Sequence, residues 1–536
     1  MDKGRLLGIL FLALCGHFQS VGQIQFEDVT KKSGLVEPLK GLMGHGAAWG
    51  DATGDGFPDL FVGTFSDRND SIYNVRGHTT GPEPDKFLVN QGDGTFKEVV
   101  GSPIGILGRN SGAAFADFDN DGDLDLVTSH QSFEGTKYQK PNNFLFENDG
   151  TGKYTDVTDK SRLDFGWPFT GRNTFVFDYD GDGLLDLLMQ EDFLRSDVSA
   201  GNSRLMRNMG HLQFKEVTAE AGLPSGYRTG LYGLGGAIGD INGDTWPDIF
   251  FAHSCRMFIN NGNGTFSEKR YTMVDKGFTD PGTVNPDWTC GVDIGDLDND
   301  GDMDLVMGEH YTGKNTRHRL FVFLNQGNDK DGNPIMEDVT MKSGILKPAW
   351  RAPHLQLQDM DNDGFLDLVV SNYKTFLYKN NGSKKGIPQF STPIPSGAKE
   401  GLGYWASGPL VDYDRDGRID FFGAEWEPGA PSRLLRNVTP NAENYLDIML
   451  DLQSTANRNG IGATVEIYER GLLGRKKGLL GTRPISVSNG YSSGYEAIAH
   501  FGLPKNEAVD VRVIMPAGGK VYERKNIKRN QLLVIK

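Results

Sequence analysis

Apolar positions in this chain gather in short runs of β-forming residues, bounded by Gly, Asn and Asp. Runs of that length between turn signals read as buried strands, and no amphipathic helix flanks them. Seven of them open at Leu60, Leu126, Leu187, Ile249, Leu305, Leu368 and Phe421, each directly behind an acidic loop. A Phe-x-Asp/Glu-Val-Thr-like strand recurs ahead of the loops, clearest at Phe26–Thr30, Tyr154–Thr158 and Phe214–Thr218. Another strand recurs behind them and ends in Asn before a glycine turn, as at Asn90, Asn260 and Asn380. The loops start 66, 61, 62, 56, 63 and 53 residues apart. A period above forty residues with four short strands per unit predicts propeller blades rather than a helical solenoid. The pattern therefore predicts an all-β chain, a seven-bladed β-propeller over residues 23–437. The last unit ends at Leu434–Asn437 without an outer strand, so Phe26–Thr30 is expected to supply it and close the ring.

The loops share the form D-x-D-x-D-G-x-x-D. First, third, fifth and ninth positions are Asp51, Thr53, Asp55 and Asp59 in the first copy and Asp117, Asp119, Asp121 and Asp125 in the second. Asp178, Asp180, Asp182 and Asp186 follow, then Asp240, Asn242, Asp244 and Asp248. The last three are Asp296, Asp298, Asp300 and Asp304; Asp359, Asp361, Asp363 and Asp367; and Asp412, Asp414, Asp416 and Asp420. Three or four carboxylates in nine residues repel one another unless a cation sits among them. Calcium, a hard ion taking six to eight oxygens from flexible loops, fits that donor set, and up to seven structural Ca²⁺ are expected. The seventh position varies from Phe57 to Asp123 to Arg418, so only its backbone carbonyl can be a shared ligand. The sixth is Gly in six copies, as a turn with positive φ requires. Thr245 occupies it in the fourth, which is expected to be the weakest site or empty. No Glu stands at position twelve, so these loops are not EF-hands.

These units resemble FG-GAP/VCBS repeats, the calcium-loop blades also found in integrin α-subunit propellers. The segment 438–536 resembles the ASPIC/UnbV domain through Asn457–Ala463, Ser488–Tyr491 and His500–Leu503, with Met515-Pro-Ala-Gly518 where that family usually has Trp-Pro-Ser-Gly. The combination is similar to the cartilage acidic protein family. The resemblance implies an architecture and says little about activity. Short strand-like runs at Tyr445–Leu452, Thr464–Tyr468, Ile485–Val487, Val509–Met515 and Leu532–Ile535 predict a small β-sandwich-like domain packed beside the propeller.

Residues 1–22 read as a signal peptide: Lys3 and Arg5, an apolar stretch to Cys15, then Ser20-Val-Gly22. Leu14 is too large for a good lipobox before Cys15, so lipid anchoring is not expected. No other stretch approaches a membrane span, which places the mature chain outside the cell or in the periplasm. Cys255 and Cys290 then remain, either as a disulfide or as two buried thiols. The formal charge is −16, with 14 Lys/Arg against 9 Asp/Glu from residue 438 onward. So acidic a propeller excludes nucleic acid as its partner. The basic Arg475-Lys-Lys477 tract reads as a solvated loop, or as a contact to anionic glycan, lipid or the propeller itself.

With the loops on one face, the ends of the second strands mark the other. His130, Glu191, His253, Glu309, His310, Tyr311, Glu425 and Trp426 fall there, joined by Trp405 from the start of a first strand. Convergent titratable and aromatic groups are the usual sign of a binding site. The first reading is an extracellular or periplasmic interaction module for glycan or protein, with the aromatic residues stacking on the ligand. The alternative is a polysaccharide lyase or hydrolase in which a His/Glu pair does acid–base work.

Overall fold

The structure is a computed structural model, and it describes residues 24–66, 82–131, 143–165, 171–191, 203–225, 233–252, 254–269, 272–273, 289–309, 320–345, 354–371, 375–395, 405–427, 430–453 and 457–536. The repeats form antiparallel sheets in meander order, with Thr272–Met273 added in parallel at the outer edge of the fifth and a separate hairpin of Asn380–Ser383 and Pro388–Phe390 in the sixth. The second repeat is representative: Asn110–Ala116, Asp125–His130, Asn143–Asn148 and Tyr154–Asp156 pair in sequence. Seven such sheets follow one another along the chain. First strands of the first six repeats adjoin in order, and Trp405–Ser407 of the seventh lies against Gly44–Gly50 of the first. The ring closes as a β-propeller. Second strands are buried throughout, as their apolar runs require, and the cores lie between neighbouring sheets.

Phe26–Asp28 pairs antiparallel with Leu435–Asn437, so the chain's first strand completes its seventh sheet as expected. Val29 N–H donates to Leu434 O at 3.0 Å, and Ile24 and Val29 are buried beneath this seam.

An asparagine at or near the end of each third strand locks adjacent blades together. Asn148 Nδ2 donates to Ala52 O of the preceding blade at 2.8 Å, and Asn208 reaches Phe118 O, Asn260 reaches Tyr179 O and Asn325 reaches Ile241 O at the same distance. Asn380 bonds Leu297 O at 2.9 Å and Asn437 bonds Met360 O at 2.8 Å. Asn90 bonds Tyr413 O at 3.0 Å, which carries the ring across the junction of first and last repeats.

From Tyr445 onward two further sheets share one core. Ile498–Gly502, Tyr445–Leu450 and Gln531–Ile535 form one; Leu479–Pro484, Thr464–Glu469, Ala508–Ile514 and Val521–Lys528 form the other. This agrees with a small two-sheet β module, but its placement differs from expectation. It caps the acidic-loop face instead of standing beside the propeller. Ile485–Val487 is no strand; it leads into a segment that enters the propeller's centre. Val176 N–H donates to Ser488 Oγ at 2.9 Å, Ile238 N–H to Asn489 Oδ1 at 3.0 Å, and Ala47 N–H to Ser492 O at 3.0 Å. Gly490 bridges Gly236, Ser493–Gly494 pairs parallel with Ala47–Ala48, and Ser492 N–H donates to Asn173 Oδ1. Inner strands have unpaired edge groups facing the channel, and residues 488–494 satisfy them. The seam is invisible to periodicity because the segment is polar and turn-like.

Candidate metal loops and the opposite face

The seven acidic loops share one hydrogen-bond plan. The first Asp accepts two amides of its own loop: in the second copy, Asp121 N–H at 3.1 Å and Gly122 N–H at 3.0 Å. Both oxygens of the ninth Asp also accept amides, Asp125 from Phe118 and from Asn148. Donors thus aim the carboxylates inward. Positive φ occurs at the sixth position, including Thr245 at 76°. It recurs at the fourth, which is Gly54, Asn120, Gly181, Gly243, Asn299, Asn362 and Arg415. That enrichment in Gly and Asn was readable in the sequence and went unused.

In five loops three carboxylates bring oxygens within 4.8 Å of one another: Asp117, Asp119 and Asp121; Asp178, Asp180 and Asp186; Asp296, Asp298 and Asp300; Asp359, Asp361 and Asp367; Asp412, Asp414 and Asp420. These are the five unbroken copies of the box. The third-position oxygens make the fit to a cation specific: Thr53 Oγ1, Asp119 Oδ1, Asp361 Oδ1 and Asp414 Oδ1 are buried without a hydrogen-bond partner. Burial first, and repulsion from neighbouring carboxylates second, pushes Asp117 up to about 7. Burial likewise raises Asp296 and Asp359 to about 7 and Asp125 to about 8. Carboxyls so perturbed favour either a proton or a metal ion. Three loops contain a cation of their own just before the latch asparagine. Arg207 sits 2.7 Å from Asp180, Arg436 2.5 Å from Asp414, and Lys379 pairs with Asp361 and with Asp363 at 3.0 Å.

The module rests on these loops. Asn457 N–H donates to Asn120 Oδ1 at 2.9 Å, and Ala517 N–H and Gly518 N–H donate to Thr245 O and Oγ1 at 2.8 and 2.6 Å. The Thr that breaks the glycine rule therefore holds the Met515–Gly518 turn. Lys476 of the basic tract lies 3.6 Å from Asp300, so the tract faces the propeller.

On the opposite face, His130, Glu191, Glu309 and Glu425 end equivalent second strands and are all buried. His130 Nε2 sits 3.0 Å from Asp85 Oδ2. Trp405 and Trp426 are half-buried; Trp405 packs on Phe421, and Trp426 stands edge-on to His45 and Phe65. His253, His310 and Tyr311 lie outside the described residues. Tyr491 was missed because it belongs to the module. Its hydroxyl is 3.0 Å from His45 Nε2 and accepts from Arg172 Nη1 at 2.8 Å, and its ring stacks on His354. Cys255 and Cys290 are not joined in a disulfide. Among the described residues no helix is long and apolar enough to cross a membrane.

Comparison with known proteins agrees with this architecture. The FG-GAP-like repeat model matches residues 51–128, 240–307 and 359–423, and the ASPIC and UnbV model matches 453–536. Cartilage acidic protein 1 of Mus musculus is 27% identical over 447 residues, covering 77% of this chain and 62% of that protein. The Homo sapiens protein is 27% identical over 443 residues, covering 77% of this chain and 61% of its own length. The chain thus spans about three fifths of these curated relatives. Among solved structures, rhamnogalacturonan lyase YesW aligns with a TM-score of 0.39 at 13% identity over 73% of this chain and 71% of its own. The periplasmic gluconolactonase PpgL of Pseudomonas aeruginosa aligns with a TM-score of 0.39 at 11% identity, over 71% of this chain and 95% of its own. Similarity of that size carries no argument. The chain joins FG-GAP-like repeats to an ASPIC/UnbV domain and is a homologue of the vertebrate proteins named cartilage acidic protein 1.

Proposed function

We propose that the protein is an exported, calcium-stabilised interaction module for an extracellular or periplasmic glycan or protein. In this reading residues 1–22 are removed on export, 23–437 form the propeller and 438–536 the module. The buried, unpartnered third-position oxygens carry the calcium assignment, because a metal ion supplies the partner they lack. The ligand surface follows by occupancy. The module covers the loop face and residues 488–494 fill the centre, which leaves the opposite rim, where Trp405 and Trp426 stand half-buried. The buried His130–Asp85 pair favours a structural part for that histidine over acid–base work. The test is retention on a panel of immobilised polysaccharides and glycoproteins with calcium present, scoring new chain ends in the same wells. Retention that falls at least tenfold in Trp426→Ala, without cleavage, is expected. New chain ends would instead establish the enzymatic alternative, and no retention of any ligand would sink the module reading.

A further inference from the structure

We propose that calcium latches the C-terminal module, and with it the channel segment, onto the propeller; the inference rests on the calcium reading above. The module touches the loops mainly at their turn positions. Asn120 and Thr245 receive its amides. Asn362 Oδ1 lies 2.7 Å from His500 Nε2, whose Nδ1 is 2.6 Å from Asp447. Arg415 holds Glu496 through two bonds of 2.6 and 2.8 Å. In the sixth loop the contact reaches a candidate ligand: Asp359 Oδ2 accepts Gly364 N–H at 2.8 Å from its own loop and Gly502 N–H at 3.0 Å from the module. Among the described residues no other first-position carboxylate accepts a bond from the module. A Cβ at Gly502 would overlap the Asn362 backbone, so the approach requires glycine.

Two effects oppose each other when calcium leaves. A more negative loop face attracts the basic module more strongly. Yet the ion pair joining Lys476 to Asp300 is 3.6 Å long and exposed, and Arg483, the module's buried cation near Asp296 and Asp359, donates to the Thr482 and Gly364 carbonyls, so direct pairing of module cations with loop carboxylates is weak. Against it, empty loops of mutually repelling carboxylates lose the left-handed turn geometry that the contacts at Asn120, Thr245, Asn362 and Arg415 need. The conformational effect is the larger, so docking and calcium binding strengthen each other, and by linkage each perturbs the other equally. Glu496 lies two residues beyond the channel segment, so releasing the module withdraws the segment.

The test is amide hydrogen exchange on the full chain as free calcium is lowered, with bound calcium measured in the same samples. Exchange in residues 488–495 should rise at least tenfold before the second strands 125–130 and 186–191 change. Glu496→Gln at saturating calcium should raise exchange in 488–495 at least tenfold and raise the half-saturating calcium several-fold. Gly502→Ala should do the same from the other side of the contact. Bound calcium with 488–495 indifferent to it, or exchanging in step with the second strands, overturns the latch. Wild-type calcium titrations in both variants overturn it too. A protein that binds no calcium at millimolar concentration overturns the latch together with the reading beneath it.

Discussion

Truncating one latch asparagine, Asn208→Ala, measures what locks the blades into a ring. Asn208 Nδ2 donates to Phe118 O at 2.8 Å and to Leu185 O at 3.1 Å, and its Oδ1 accepts Gly210 N–H at 2.9 Å. Alanine leaves all three backbone groups without that partner. Gly210 lies in a half-buried surface turn where water substitutes at little cost, so the two buried carbonyls dominate. At about 1–3 kcal/mol for each unsatisfied buried group, the loss is about 2–6 kcal/mol. Unfolding entropy of about 2.1 cal/mol/K per residue gives a chain of this length about 1 kcal/mol per degree, so the melting temperature should fall by about 2–6 °C. Asn208→Asp should cost more at neutral pH, because it sets a carboxylate against two carbonyl oxygens. Calorimetry with calcium present reads both, and Asn208→Ala combined with Asn325→Ala should add within about 0.5 kcal/mol if the latches act independently. A melt of Asn208→Ala within half a degree of wild type would refute the latch argument.

Deleting residues 24–30 removes the seam strand with the buried side chains of Ile24 and Val29, worth about 1.5–3 kcal/mol each. The melt should fall by about 5 °C, and an unchanged melt would mean the ring closes without this strand. Acidification offers a second check. Asp117, Asp296 and Asp359, raised to about 7, bind more protons folded than unfolded, so in metal-free protein their contribution is present at low pH and lost as pH rises toward 7. Metal-free protein should therefore melt higher at pH 5.5 than at pH 7.5, and the gain from calcium should shrink over the same interval; a metal-free melt that falls on acidification contradicts this. Lys379→Met removes the cation paired with Asp361 and Asp363 and should tighten one calcium site by about tenfold in a calorimetric titration. Unchanged or weaker binding would show that Lys379 does not compete.

The repeat was legible because each blade restates it: an apolar run behind every acidic loop, an Asn behind every third strand, and an orphan Phe26 strand that only a closed ring could use. The role of that Asn was not legible, since its acceptors are carbonyls about ninety residues away in sequence, such as Ala52 for Asn148. The module's position was misread for a related reason. Ser488–Gly494 buries little apolar surface and binds inner-strand edges through polar and backbone groups, so it leaves no periodic trace. Thr245 was recognised as an exception at its loop position, but its partner lies more than 270 residues on. The blade-end acids were placed on the expected face, while their burial depends on neighbouring blades that spacing does not describe.

Equilibrium dialysis against calcium followed by metal analysis, paired with melts with and without chelator, tests the central claim most directly. At least five calcium ions per chain, and a melting temperature many degrees lower after chelation, are predicted from the five loops whose carboxylates converge. A chain that holds no calcium and melts identically with chelator would make the seven loops bare turns and contradict the account.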